Sequence, residues 1–180
     1  MYGFQNEDFL KTLNGAVAQI SEINRIADKV SDLGYKNIYL VGTGGTYAII
    51  SPLAYMLKTN STLVWYHEIA AELLAAKPRS LTRDSLFITA SLSGTTKETI
   101  AAAEYARSMG ATVISFVGDR TAPLAAVSDY VVENAACNDN LVEELHIQFF
   151  ALGARLMLKN GEFPQYERFV ETLRKMPEVL

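Results

Sequence analysis

Cysteine occurs once in the 180 residues, at Cys137, so no disulfide can close within the chain. A lone thiol fits a reducing compartment, and Cys137 reads as a small, partly buried hydrophobe. Histidine occurs twice, at His67 and His146, and the carboxylates are scattered, so no metal-ligand spacing is present. Lysine and arginine nowhere cluster, and the net charge is -4 at pH 7, which argues against a nucleic-acid partner. No apolar run reaches the roughly 18 residues of a membrane span. The start, Met1-Tyr2-Gly3-Phe4-Gln5-Asn6, has neither the basic nor the apolar region of a signal peptide. The cytoplasm is therefore the expected location. A Gly-x-Ser-x-Gly elbow is also missing, which leaves a serine-hydrolase reading without support.

What is present is the composition of one globular domain, 49% hydrophobic and 20% charged. Apolar residues from Phe9 to Val30 recur at intervals of three and four, the stripe of one long amphipathic helix that Gly34 stops. A buried strand follows at Asn37–Val41. The pattern then alternates: helix Thr46–Lys58, strand Thr62–Tyr66, helix Glu68–Ala76, strand Ser85–Ala90, helix Thr95–Met109, strand Thr112–Val117, a short helix after Pro123, and strand Asp129–Val132. Two helices near Asn140–Lys159 and Phe163–Lys175 close the chain. Alternating strands and helices make parallel βαβ units, so the expected fold is a three-layer α/β sandwich around a five-stranded parallel sheet.

Two loops carry candidate chemistry. Val41-Gly42-Thr43-Gly44-Gly45-Thr46-Tyr47 leaves the first strand and opens a helix. Its glycines permit a sharp turn and close approach of a ligand to the backbone, and the helix start offers free N–H groups to an anion. A dinucleotide fingerprint is the rival reading. Gly42 and Gly44 fit it and Glu68 mimics its acidic residue, but Tyr47 stands where the third glycine belongs. The second loop, Ser91-Leu92-Ser93-Gly94-Thr95-Thr96, leaves the third strand and opens the helix containing Thr99. One hydroxyl would suffice to cap a helix. Four around a glycine, together with backbone amides, suit the nearly doubly charged oxygens of a phosphate monoester. In the strand order 2-1-3-4-5 the first and third strands are neighbours, and both loops then line one crevice at the switch point.

Taken together, these motifs resemble the SIS (sugar isomerase) family of phosphosugar domains over nearly the whole chain. The Ser-x-Ser-Gly-x-Thr turn stands complete at Ser91, Ser93, Gly94, Thr95 and Thr96, and the family's glycine-rich first loop is matched by Gly42, Thr43, Gly44 and Gly45. Some members carry serine where Gly44 stands. The resemblance is nearest to the fructosamine 6-phosphate deglycases, with the isomerase domain of glucosamine 6-phosphate synthase next. It implies a phosphate grip at Ser91–Thr96, sugar contacts at Gly42, Thr43 and Gly44, a hexose 6-phosphate or phosphorylated ketosamine as ligand, a homodimer, and no metal or organic cofactor. It further implies that residues 1–180 are the first of two tandem SIS domains. The catalytic glutamate and histidine are then expected from the second domain.

Deglycation would move a proton between C1 and C2 of the opened sugar and hydrolyse an imine, which needs a placed acid and base. Within this chain the candidates are Glu144 and His146, with Glu143 one turn before His146. His67 follows the expected second strand and reads as structural, as His146 also does. Three readings remain open from the residues: half of a deglycase or aminosugar isomerase, a stand-alone small isomerase using Glu143, Glu144 or His146 across a dimer, and a non-catalytic sugar-phosphate sensor.

Overall fold

The computed structural model describes residues 6–134 and 141–179; Cys137 lies outside them. The elements, in chain order, are α1 (Asn6–Ala18), α2 (Ile20–Leu33), β1 (Asn37–Gly42), α3 (Gly45–Asn60), β2 (Trp65–Ile69), α4 (Ala70–Ala76), β3 (Ser85–Ser91), α5 (Lys97–Ser108), β4 (Thr112–Val117), α6 (Pro123–Ala126), β5 (Tyr130–Glu133), α7 (Leu141–Lys159) and α8 (Tyr166–Val179). The five strands form one parallel sheet in the order β2-β1-β3-β4-β5, as the alternation of elements implies.

Strand periodicity divides the core in two. Ile38, Leu40, Leu86, Ile88, Ile114 and Phe116 point to the face covered by α1, α2, α3, α7 and α8. Tyr39, Val41, Phe87 and Val113 point to the face covered by α4, α5 and α6. On the larger face α7 packs against α1, α2 and α3. Arg155 of α7 makes a two-pronged ion pair to Asp28 of α2, each N–O distance 2.8 Å, and its guanidinium lies 5.1 Å from the ring centre of Tyr166. No helix among the described residues is long and apolar enough to cross a membrane.

Several boundaries shift by a few residues from those read off the sequence, among them the starts of α4, α5 and α8, and two differences have a structural cause. The expected single helix Phe9–Val30 is two helices, parted at Gln19, whose N–H bonds back to Ala16 across a tight turn while its carbonyl starts α2. The apolar stripe runs through the break without losing phase, which is why periodicity alone conceals it. The second strand begins at Trp65 rather than Thr62 and runs on to Ile69, so His67 and Glu68 lie inside it. The cause is tertiary. Between α7 and α8, the Glu162 carboxylate accepts from Ser61 Oγ at 2.5 Å, from the Thr62 N–H at 2.8 Å and from the Thr62 hydroxyl, so these residues are claimed before the ladder starts.

Burial pushes the Glu162 carboxyl up, but hydrogen bonds from Asn160, Ser61 and Thr62 outweigh it and hold the pKa at about 2, against 4.5 ordinarily. A depressed carboxyl stabilises the fold fully above its unfolded pKa and loses that contribution as pH falls towards its folded one. Glu162→Gln should therefore lower the melting temperature at neutral pH and flatten its decline between pH 4.5 and pH 2; melting curves followed by circular dichroism across that range provide the check.

Candidate functional site

At the carboxyl edge of the sheet β1 and β3 lie side by side, with Val41 opposite Thr89. From there the chain departs to opposite faces, into α3 after β1 and into α5 after β3. This is the switch point, where α/β sheets open a crevice. The two loops named from the sequence meet here. Thr43 Oγ1 and Thr99 Oγ1 are 3.0 Å apart, a hydrogen bond that ties the glycine loop to the first turn of α5.

In the glycine loop, Gly42 is a steric requirement. A Cβ there would lie 2.4 Å from the Tyr47 backbone nitrogen. Thr46 closes the turn, its hydroxyl donating to the Thr43 carbonyl at 2.9 Å and accepting from the Thr43 N–H at 3.1 Å. Gly44 has φ 56° and is exposed, and the space beside it is open. Tyr47 stacks on His67 with ring centres 4.0 Å apart and planes 11° apart, and His67 Nε2 lies 3.0 Å from the Tyr47 carbonyl oxygen.

The hydroxyl turn is braced from below and open above. Ser91 is buried, 3.1 Å from the Thr96 hydroxyl, and accepts from the Gly94 N–H at 3.2 Å. Ser93 and Thr95 are exposed and bonded to each other at 2.9 Å. Bracing comes from the segment after β4: the Leu92 carbonyl accepts from the Gly118 N–H at 2.9 Å, and the Gly94 carbonyl from the Leu124 N–H at 3.0 Å. Neither α3 nor α5 has a side-chain cap at its N-terminus. Thr96 occupies the cap position of α5 without capping it, so the Ser93 hydroxyl and the first amides of α5 remain as donors beside the glycine loop, while in α3 the Thr46 N–H is already spent on the Thr43 carbonyl at 3.3 Å. Such a corner favours an anion. Among the described residues no cluster of three or more His, Cys, Asp or Glu is placed to hold a metal ion.

The remaining expected residues lie elsewhere. Glu144 is fully buried under the α7 start, 3.4 Å from Gln148 Nε2, which also donates to the Glu133 carbonyl at 3.0 Å. His146 instead faces a cavity bordered by α1, α3, α7 and α8, which no residue of either loop lines. Glu144 and His146 are two positions apart on a helix, and such residues do not share a face. Glu143, three before His146, lines the same cavity. Thr99 was passed over as a site residue in the sequence; the only signal is one more threonine in the first turn behind the hydroxyl loop.

Two outcomes follow from this geometry. Gly94 has φ 61°, and a Cβ on it would meet the Ala122 Cβ at 2.4 Å. Gly94→Ala combines about 1–2 kcal/mol of left-handed strain with about 1–3 kcal/mol of overpacking, so the melting temperature should fall by roughly 4–20 °C in scanning calorimetry. For His67, burial holds the pKa below the ordinary 6.5, against the opposing Tyr47 carbonyl and Glu68. Its stabilising contribution is complete above that ordinary value and lost as pH falls through the lower folded one. His67→Phe, which keeps the stack, should make the loss of melting temperature on acidification below pH 6.5 shallower.

A profile of the SIS domain matches residues 34–157, from the end of α2 to late α7. Fructosamine deglycase FrlB of Bacillus subtilis (strain 168) is 28% identical over 175 residues, covering 93% of this chain and 52% of that protein. The chain thus spans about half the length of this curated relative. A Salmonella typhimurium LT2 structure with the provisional description phosphosugar isomerase is 26% identical and superposes with a TM-score of 0.80 over 89% of this chain and 50% of its own. The C-terminal domain of glucosamine-fructose-6-phosphate aminotransferase from Francisella tularensis shares the fold at 15% identity, with a TM-score of 0.79 over 98% of this chain and 56% of that one. Sheet order, the paired loops at the switch point and the matched profile agree: the chain belongs to the SIS family of phosphosugar-binding domains.

Proposed function

We propose that this chain is the phosphate-binding half of a fructosamine 6-phosphate deglycase. The sugar phosphate lies against Ser91, Ser93, Gly94, Thr95 and Thr96 at the start of α5, and the sugar hydroxyls reach Gly42, Thr43 and Gly44. The observation that carries this reading is the Thr43–Thr99 bond, 3.0 Å long, which makes the two donor-rich loops one concave site. The likeness to FrlB favours deglycation of a phosphorylated ketosamine, giving glucose 6-phosphate and an amine.

The crevice residues are glycines and hydroxyls, groups that bind and orient but do not exchange protons near neutral pH. His67, stacked on Tyr47 of the glycine loop, has its Nε2 engaged with the Tyr47 carbonyl. Glu144 and His146 lie off the crevice. The acid and base that move the C1–C2 proton therefore come from a second SIS domain, with this chain serving as the first of two in a homodimer. A second reading, a phosphosugar isomerase, is favoured by the 26% identical Salmonella structure. It uses the same open-chain sugar and the same proton transfer without imine hydrolysis, and it needs the same grip.

Calorimetric titration with fructose 6-phosphate, glucose 6-phosphate and NADH separates a phosphosugar site from a nucleotide site. The expected result is binding of the sugar phosphates, none of NADH, and an affinity about tenfold or more lower for Ser93→Ala, the loss of one hydrogen bond to a charged group. NADH binding in place of the sugar phosphates would refute the reading.

A further inference from the structure

The glycine loop is held from two sides. On one, its Thr43 hydroxyl meets Thr99 at 3.0 Å. On the other, β2 supplies His67, which stands opposite Leu40 in the ladder and shares a face with Trp65, towards α3. Leu40 and Trp65 pack into the apolar core on that face. His67 spends its ring on Tyr47 instead, stacked with centres 4.0 Å apart and planes 11° apart, and its Nε2 lies 3.0 Å from the Tyr47 carbonyl oxygen. A carbonyl only accepts, so Nε2 carries the proton and donates it.

Folding alone does not call for that bond. The Ser51 hydroxyl already reaches the same carbonyl at 3.3 Å, and a phenylalanine would stack as well. What the histidine adds is a second attachment on one residue: the stack fixes the Tyr47 ring, and the hydrogen bond fixes its backbone. That backbone is the one pressed against Gly42, where a Cβ would lie 2.4 Å from the Tyr47 nitrogen and 2.5 Å from its Cα. Gly42 in turn ends β1 opposite Ile69, two residues after His67. The segment Gly42–Tyr47 is thus clasped at Thr43 from the α5 side and at Tyr47 from the β2 side. Gly44 and Gly45 lie between the clasps, exposed, with open space beside them. Glycine has the most conformational freedom to lose, so fixing both ends of this loop removes ordering that a ligand would otherwise have to impose.

We propose that His67 is a positioning residue for the sugar end of the ligand: through the ring and the carbonyl of Tyr47 it holds Gly42, Thr43 and Gly44 where they meet the sugar hydroxyls. This rests on the phosphosugar reading of the crevice. His67 touches no ligand in this role and moves no proton. The phosphate turn at Ser91–Thr96 is braced separately, by the Gly118 and Leu124 amides. Loss of His67 therefore weakens recognition of the sugar and leaves the grip on the phosphate.

Fructose 6-phosphate and inorganic phosphate are the probes, titrated into the full chain and followed by two-dimensional NMR of the backbone amides and of the His67 ring nitrogens. In the unaltered chain fructose 6-phosphate should move the ring nitrogens along the same saturation curve as the Gly42–Tyr47 amides. Inorganic phosphate, which has no sugar to reach the glycine loop, should move the Ser91–Thr96 amides and leave the ring still. His67→Ala should lose about tenfold in affinity for fructose 6-phosphate, the scale of one hydrogen bond, and none for inorganic phosphate. His67→Gln, which keeps an N–H donor at the reach of Nε2, should recover part of that loss. A general structural role would give neither the split between ligands nor the recovery. The ring measurement requires no substitution, so a variant that fails to fold leaves the test intact. Equal loss for the two ligands, loss for neither, no recovery with His67→Gln, no phosphate response at Ser91–Thr96, or ring nitrogens indifferent to fructose 6-phosphate would each overturn the inference while the phosphosugar site stands. If the unaltered chain binds no fructose 6-phosphate, the phosphosugar reading falls and this inference falls with it.

Discussion

The hydrogen bond between the Thr43 and Thr99 hydroxyls joins two loops that the fold sends to opposite faces of the sheet. Parallel strands in the order β2-β1-β3-β4-β5 put β1 beside β3, but adjacency alone leaves α3 and α5 free to diverge. The threonine pair fixes where they begin. Once the two helix starts are held together, neither of them capped by a side chain, the candidate site becomes a property of the pair of loops.

That corner is supported by constraints that admit few substitutions. Gly42 lies against the backbone of Tyr47, Gly94 against Ala122, and Gly118 against the Leu92 carbonyl. Each contact is too close for a side chain, and each holds one end of a turn. Beneath them the central strands carry apolar residues on both faces, and the buried hydroxyl of Ser91 is bonded within the turn it supports. The donors of the crevice are thus set before any ligand arrives, which reduces the ordering that binding must accomplish.

Much of this was legible in the chain because the relevant signals are local. Apolar runs such as Ile38–Val41 declare strands, and a glycine ringed by Ser91, Ser93, Thr95 and Thr96 declares an unusual turn. What escaped was set by distant partners. The break at Gln19 leaves the apolar stripe in phase, so the pattern carries no trace of it. The start of β2 depends on Glu162, 100 residues from Thr62. The bridge from Thr43 reaches Thr99 across 56 residues. The Glu143–His146 spacing was visible on the helix, but the cavity that pair faces is assembled by α1, α3 and α8, which no local pattern specifies.

The central claim is that one anionic ligand is held jointly by the glycine loop and the hydroxyl turn. Mapping fructose 6-phosphate onto the backbone amides by NMR tests it most directly. The account predicts shifts in both Gly42–Tyr47 and Ser91–Thr99, moving together along one saturation curve. Shifts in only one of these segments, or in neither while the ligand binds elsewhere, would contradict it.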